Sequence, residues 1–164
     1  MKDEISALLL HRPTESQRVL KQALEGRSIN VNWLRYYREA LPLLRGEDPP
    51  HLVFTEALLP DGTWADVVKL ALEALKPVKV IVVSRLIDVR LYVETMAGGA
   101  FDFIVPPMTS DELAHILACA VESVLNLRRT PGHGGGRIAR AVVAKTTNPP
   151  SALTGMKVAL GSNL

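Results

Sequence analysis

The sequence is poor in the features that mark secreted and membrane proteins. Its single cysteine, Cys119, excludes an internal disulfide bond. No apolar run approaches the ~20 residues that a membrane-spanning helix needs. The first apolar run, Ile5–Leu10, is too short for a signal peptide and follows the acidic residues Asp3 and Glu4. We therefore expect a cytoplasmic protein without a membrane partner.

The chain also lacks a strong charge of either sign, and aromatic residues make up only 5% of it. Residues 1–129 carry 15 bases and 17 acids, a net charge of −2, whereas residues 130–164 carry four bases and no acid. A slightly acidic body does not indicate nucleic-acid binding. The four bases of the second part are widely spaced, at Arg137, Arg140, Lys145 and Lys157. We therefore expect protein partners rather than nucleic acid.

Length and composition indicate one globular domain followed by a tail. The 164 residues are 48% apolar and 22% charged, which is typical of a folded domain with a core. From Thr130 onward the pattern changes, with the glycines of residues 134–136 and the pair Pro149-Pro150. Such composition is typical of flexible segments. The sequence predicts a domain over residues 1–129 and a flexible basic tail over residues 130–164.

Short β-rich runs alternate with segments of helical periodicity along the domain. The predicted strands are Ile5–Leu10, Ile29–Leu34, Leu52–Glu56, Val78–Ser84 and Phe101–Val105. The predicted helices are Glu15–Glu25, Tyr37–Arg45, Trp64–Leu75, Val89–Ala97 and Ser110–Leu127, the last capped by Ser110. The apolar stripes of the first and third helices place Val19, Leu72 and Leu75 among the inward-facing residues.

Five βα units with short connections predict a doubly wound parallel sheet of five strands with helices on both faces. The flavodoxin-like strand order 2-1-3-4-5 brings the carboxyl ends of the first, third and fourth strands together, where such sheets bind ligands. The residues just past those ends are His11 and Arg12, Glu56, and Ser84. They form the candidate site.

Several short motifs resemble those of one known family. The buried strand that ends at Glu56 is followed by Pro60-Asp61-Gly62, a turn that leads into the third helix. Ser84 follows the fourth strand, Gly98-Gly99-Ala100-Phe101-Asp102-Phe103 leads into the fifth, and Pro106-Pro107 follows it. Over about residues 5–127 the chain resembles the response-regulator receiver domains of two-component signal transduction. The resemblance implies the CheY-like fold and a place in a phosphorelay.

The residues that carry the chemistry of that family are replaced. Glu56 stands where the resemblance places the phosphorylatable aspartate. His11 and Arg12 stand where two acids hold Mg²⁺, and Pro106 stands where a lysine contacts the phosphoryl group. Arginine cannot ligate a metal, because it is always protonated. We therefore expect Mg²⁺ binding to be lost, no cofactor, no catalytic residue and no resident metal.

Other family positions are retained. Ser84 occupies the hydroxyl position and Phe103 the aromatic position of the family's switch, and the bond before Pro107 is expected to be cis. Ser84 has no His or Asp partner in the pattern, so its hydroxyl is expected to bond local backbone. One further hypothesis is a permanent ion pair between Arg12 and Glu56, which would replace the metal and the phosphoryl group together.

The resulting interpretation is an atypical receiver, or pseudo-receiver, that is not an enzyme and signals by phosphorylation-independent protein binding. The resemblance implies a binding face formed by the fourth helix, fifth strand and fifth helix. The candidate contacts on this face are Arg90, Glu94, Asp111 and Glu112, with Arg128 nearby. The partner would be a signalling kinase, an output protein or a second copy of the chain.

Two alternatives belong to other functional classes. The first is a receiver that retains phosphotransfer by an unusual route, on His11 or Ser84. The second is a flavodoxin-like module that binds a small molecule or anion, with Arg12 near the start of the first helix to attract it. Against the second, the first strand is not followed by a glycine-rich phosphate loop.

Overall fold

The computed structural model describes residues 4–12 and 14–130. The strands are β1 (Ser6–Leu10), β2 (Asn30–Leu34), β3 (Leu52–Glu56), β4 (Leu58–Leu59), β5 (Gly62–Thr63), β6 (Lys79–Val83) and β7 (Asp102–Ile104). The helices are α1 (Glu15–Glu25), α2 (Tyr37–Leu44), α3 (Trp64–Leu72), α4 (Val89–Gly98) and α5 (Ser110–Arg129). The predicted tail beyond Thr130 lies outside the described residues.

The main sheet has five parallel strands in the order β2-β1-β3-β6-β7. With the five predicted strands counted along the chain, this is the order 2-1-3-4-5, so the predicted flavodoxin-like, doubly wound fold is confirmed. Two elements were not predicted: β4 and β5 form a small antiparallel hairpin. Each has two residues, too few to give a periodic signal in the sequence.

The core lies on both faces of the sheet. Along β3 every residue is buried, and the side chains alternate between faces because successive strand residues point in opposite directions. Phe54 packs in the cluster that contains α1 and α5, whereas Val53 packs in the cluster that contains α2 and α3. Residues 52–54 are apolar, as suits a strand covered on both faces, and the buried polar residues Thr55 and Glu56 at its carboxyl end are hydrogen-bonded.

Three details of the predicted helices are wrong. Thr109, not Ser110, caps α5: its hydroxyl accepts a hydrogen bond from the Glu112 amide, and Glu112 Oε2 accepts from the Thr109 amide. The helix α3 ends at Leu72, so Leu75 lies beyond it. Val19, Leu72 and Leu75 are 58%, 58% and 72% exposed rather than inward-facing. No described helix is long and apolar enough to cross a membrane.

Arg128, near the end of α5, ties this helix to the amino ends of two strands. Its Nε donates to the Pro77 carbonyl at 2.9 Å, and one terminal nitrogen donates to the carbonyls of Pro49 and Pro50 at 2.9 and 2.8 Å. Burial lowers the pKa of Arg128. The side chain expected near the binding face is therefore a structural residue at the opposite end of the sheet from Glu56.

Asp61 links the turn after β3 to α2. Its carboxylate accepts hydrogen bonds from the Tyr37 and Arg38 amides, at 2.6 and 3.0 Å, and so caps the start of that helix. Asp61 was expected to serve the turn into α3. The helix that it caps is α2, which the sequence alone does not place beside the turn.

Replacing Asp61 by alanine is expected to lower the free energy of unfolding by about 1 kcal/mol, since two amides at the start of α2 lose their acceptor. Urea unfolding of Asp61→Ala beside Asp61→Asn measures the effect. Asparagine retains an acceptor oxygen, so its loss should be smaller. Equal stability of the wild type and Asp61→Ala would show that the cap contributes nothing.

Candidate functional site

The carboxyl ends of β1, β3 and β6 meet at one edge of the sheet, as the strand order requires. His11 follows β1, Glu56 ends β3, and Ser84 follows β6. All three side chains are buried, with residue exposures of 1%, 9% and 8%. The structure therefore brings these three of the predicted residues to the same edge of the sheet, inside the fold.

Glu56 is held by two hydrogen bonds to the same carboxylate oxygen. The Gln17 side-chain amide donates to Oε1 at 2.9 Å, and a terminal nitrogen of Arg85 donates to Oε1 at 3.2 Å. Gln17 is 3% exposed, whereas the Arg85 side chain is 67% exposed and reaches in from solvent. The acceptor position thus carries a charged carboxylate with one buried neutral partner and one cationic partner at the rim.

The predicted ion pair between Arg12 and Glu56 is wrong, because the cation that pairs with Glu56 is Arg85. Arg12 is exposed, and within the described part of the chain it forms no ion pair with Glu56. His11 and Arg12 are consecutive in the bend that follows β1, where His11 is buried and Arg12 is exposed. With His11 buried, Arg12 faces out, and Arg85 supplies the positive charge instead.

His11 is fully enclosed rather than lying at a polar rim. Its Nδ1 lies 2.8 Å from the Arg12 carbonyl, and its ring meets the Trp33 ring edge-on at 4.7 Å between centroids. The Trp33 indole also donates to the His11 carbonyl at 3.1 Å. A carbonyl is only an acceptor, so Nδ1 carries the hydrogen. The neutral ring therefore presents the lone pair of Nε2 to the interior.

The burial of His11 lowers its pKa below the ordinary value, although the Arg12 carbonyl and the charge of Glu56 act in the opposite direction. The unfolded chain consequently takes up this proton at a higher pH than the folded chain. The stability that this group contributes is complete above the unfolded pKa of about 6.5 and is lost as the pH falls towards the folded pKa.

We expect the free energy of unfolding to fall between about pH 7.5 and about pH 5.5, with His11 responsible for part of the slope. His11→Phe retains a ring against Trp33 but cannot be protonated, so its slope should be smaller. Urea unfolding across this pH range measures both proteins, with His115→Phe on the surface of α5 as the matched control. Identical slopes for the wild type and His11→Phe would contradict the assignment.

The two residues expected to keep the family's switch positions, Ser84 and Phe103, are both buried. The Ser84 hydroxyl donates to the Leu86 carbonyl at 2.8 Å and accepts from the Leu86 amide at 3.3 Å, as expected of a hydroxyl that bonds local backbone. Phe103 is 3% exposed and meets Tyr92 edge-on at 5.8 Å. The bond between Pro106 and Pro107 is cis, as expected.

The site does not fit the magnesium ion that a receiver fold implies. Mg²⁺ needs several oxygen ligands in octahedral geometry. Glu56 supplies the one carboxylate among the three family positions, and Arg85 already neutralises it. Residues 4–12 and 14–130 contain no group of three or more His, Cys, Asp or Glu side chains arranged to hold a metal ion.

The face expected to bind partners contains an apolar patch that the sequence analysis missed. Leu86, Ile87, Val89 and Val93, here called the α4 patch, are 75%, 61%, 45% and 55% exposed. Exposed apolar residues that follow one another in this way are typical of interaction sites. The sequence did not reveal this patch, because the helical pattern places Val89 and Val93 on one apolar stripe but does not show whether that stripe is buried or exposed.

The predicted charged contacts of this face are exposed, and two of them interact with each other. Arg90 Nε donates to Glu94 Oε1 at 2.9 Å, one turn along α4. Asp111 is exposed, and Glu112 completes the cap of α5. An exposed pair of this kind contributes little to stability. Because both side chains are exposed, they are accessible to a partner.

Gln17 and Arg85 are the site residues that the sequence did not reveal. Both carry ordinary polar groups at a helix start and in a loop, where polar residues are common. A signal existed for Arg85, since it directly follows Ser84 at the carboxyl end of a central strand. Gln17 gave a weaker signal, as a polar residue at a buried helical position.

Comparison with known proteins gives structural likeness only. No protein-family model matches the chain, and no curated protein sequence matches it. Its structure is similar to the signal receiver domain assigned to a Luxo repressor protein from Vibrio parahaemolyticus, with 23% identity and a TM-score of 0.69. That match covers 79% of this chain and 99% of the other.

Two further solved structures agree with it. A response regulator from Thermotoga maritima is 24% identical with a TM-score of 0.62, covering 72% of this chain and 98% of that one. A CheY-like response regulator receiver domain protein from Methanospirillum hungatei JF-1 is 20% identical with a TM-score of 0.61, covering 76% and 98%. The chain therefore has the fold of the response-regulator receiver domains.

Proposed function

We propose that this protein is a receiver-type module of two-component signalling that acts by binding another protein and is neither phosphorylated at Glu56 nor an enzyme. The observation that carries the proposal is the contact of Glu56 with Gln17 and Arg85. A charged, buried carboxylate already occupies the acceptor position. Arg85 balances the charge of this carboxylate, so the position needs no metal ion to do so.

The geometry also supports a route from this site to a binding surface. Arg85 lies in the loop between β6 and α4, immediately before Leu86 and Ile87 of the α4 patch. The Glu56 contact therefore restrains the start of that patch. Ser84 also orders this loop, through its two hydrogen bonds with the backbone of Leu86.

The alternative acceptors are poorly placed for phosphotransfer. The Ser84 hydroxyl is occupied by backbone, and no His or Asp side chain hydrogen-bonds to it among the described residues. His11 is 1% exposed, so a phosphoryl donor has no direct access to its ring. Both observations favour binding over transfer as the function of this edge.

The phosphorylation arm of the proposal is tested by intact mass after incubation with acetyl phosphate and Mg²⁺. We expect no adduct on the wild type. Glu56→Asp, which restores the family's acceptor but not its metal ligands, is measured alongside. A stable adduct on the wild type, mapped to His11, Ser84 or Glu56, would overturn the proposal.

The binding arm is tested with a matched pair of surface substitutions. Leu86→Asp charges the α4 patch, whereas Leu75→Asp charges a leucine of similar exposure beyond α3 (75% and 72%). We expect Leu86→Asp to weaken self-association, or binding of a partner captured from the source cells, by about tenfold or more, as for a central interface residue. If both substitutions weakened binding equally, or if neither weakened it, the α4 patch would be excluded as the binding surface.

A further inference from the structure

Two buried polar atoms beside Glu56 make no hydrogen bond within the part of the chain that the structure describes. They are Nε2 of His11 and Oε1 of Gln17, in residues that are 1% and 3% exposed. Gln17 is hydrogen-bonded to Glu56, and His11 lies on the strand end next to Glu56, because the preceding residues Leu10 and Thr55 pair across β1 and β3. Both atoms therefore belong to the Glu56 site.

Both atoms are acceptors, and their orientation is fixed by their neighbours. The bond from His11 Nδ1 to the Arg12 carbonyl leaves a lone pair on Nε2. The Gln17 amide nitrogen is directed at Glu56, which leaves its oxygen without a donor. With the Glu56 carboxylate, the cluster has three acceptors and the single buried donor group of Gln17. The two unpaired acceptors therefore lack a hydrogen-bond donor.

We propose that His11, Gln17 and Glu56 form a binding site for a proton, and that uptake of this proton by His11 is the input that releases Arg85 from Glu56. The inference rests on the proposed function, because it names the signal that the same site would receive instead of a phosphoryl group. The proton passes from a hydronium ion of the solvent to the lone pair of Nε2, which leaves a water molecule behind. No other covalent bond forms or breaks, and the hydrogen bond between Arg85 and Glu56 is the non-covalent contact that is lost.

Protonation changes the competition for Glu56. The ring gains a positive charge and Nε2 becomes a donor, so Glu56 then faces two cations. Arg85 has a side chain that is 67% exposed and regains water when it leaves. His11 is enclosed and has no such alternative. The exposed cation is therefore the one displaced, and the loop that carries Leu86 and Ile87 loses its restraint.

Each element packed around His11 adds to this balance. From β3, Glu56 favours the charged ring, and the Arg12 carbonyl of its own segment does the same. From α1 come the neutral Gln17 and the cation Lys21, whose Nζ lies 5.6 Å from the centre of the Trp33 ring of β2. Arg85, from the loop before α4, opposes protonation through its pairing with Glu56. The negative charge that favours protonation of His11 is thus the Glu56 carboxylate, which also pairs with Arg85.

The test is an NMR titration of the isotopically labelled full chain from about pH 8 to about pH 5. The His11 ring nitrogens and the backbone amides of residues 85–91 are followed together. At the alkaline end Nε2 should give the signal of an unprotonated nitrogen. On acidification the ring and these amides should titrate with one common midpoint.

Substitutions of Glu56 and of its cationic partner Arg85 move this midpoint in opposite directions. Glu56→Gln removes the favourable charge and should lower it, whereas Arg85→Gln removes the competing cation and should raise it. In His11→Phe the amides of residues 85–91 should no longer follow that transition. If a variant fails to fold, the wild-type titration alone decides through the common midpoint.

Two results would overturn the inference. The first is a His11 ring that stays neutral throughout, which would indicate that a water molecule or ammonium ion donates to the two acceptors instead. The second is a loop whose amides titrate equally in His11→Phe, which would assign the change to Glu56, Asp88 or another group. Neither result alters the Leu86→Asp comparison, so failure of the proton site and failure of the proposed function remain distinguishable.

Discussion

Replacing Arg128 by alanine is expected to lower the free energy of unfolding by about 2–4 kcal/mol, the largest loss among the substitutions considered for this protein. The guanidinium makes three hydrogen bonds of 2.8–2.9 Å, to the carbonyls of Pro49, Pro50 and Pro77. Hydrogen bonds from a charged group are stronger than neutral ones. Their loss would separate the end of α5 from the segments that enter β3 and β6.

The cost is large because the acceptors have few alternatives. Pro49 and Pro50 are buried, so their carbonyls would remain poorly solvated after truncation. Urea unfolding measures the change, with Arg129→Ala as the matched control, because Arg129 is the next residue of α5 and is exposed. Arg128→Lys should retain part of the stability, since a compact ammonium keeps the charge but cannot reproduce the forked donor geometry of the guanidinium. Equal values for the two alanine variants would refute the structural role of Arg128.

Replacing Glu56 by alanine is expected to lower the free energy of unfolding by about 1–3 kcal/mol, because the buried amide of Gln17 loses its acceptor. The pairing with Arg85 should contribute little of this, since the Arg85 side chain is 67% exposed. Glu56→Gln retains an acceptor oxygen of similar position and should lose less stability than Glu56→Ala. It should nevertheless release Arg85 as fully as alanine does.

A double-mutant cycle separates the two contributions. Gln17→Leu removes the buried amide, so Glu56→Ala should cost less in that background than in the wild type. Arg85→Gln should leave the cost of Glu56→Ala almost unchanged. If Arg85→Gln rather than Gln17→Leu abolished the effect, the ion pair and not the buried amide would stabilise the acceptor position.

The fold was predictable because its signals are redundant. Five apolar runs with helical segments between them allow few arrangements, and the predicted bounds of α1 and β3 agree with the structure. The position of the site followed from the strand order alone, since the carboxyl ends of adjacent parallel strands must meet. The two-residue strands β4 and β5 carry no periodicity and depend on how the chain turns after Glu56.

The contacts within the site were less predictable, because several side chains were equally eligible. Arg12 and Arg85 both follow central strands, and choosing between them requires knowing which side of the sheet edge each one faces. The sequence does not show which of the two consecutive residues in the bend after β1, His11 or Arg12, is the buried one. Gln17 depends on the rotation of α1, which is set by packing against the sheet rather than by local sequence.

The attachment of α5 through Arg128 has a practical consequence for experiments on this protein. The described chain ends at Thr130, beside the amino ends of β3 and β6, whereas Glu56 lies at their carboxyl ends. Five residues of strand span about 17 Å. A fluorophore or surface tether attached at Thr130 itself lies at the end of the domain opposite Glu56. Sensor surfaces can therefore present the Glu56 edge and the α4 patch unobstructed.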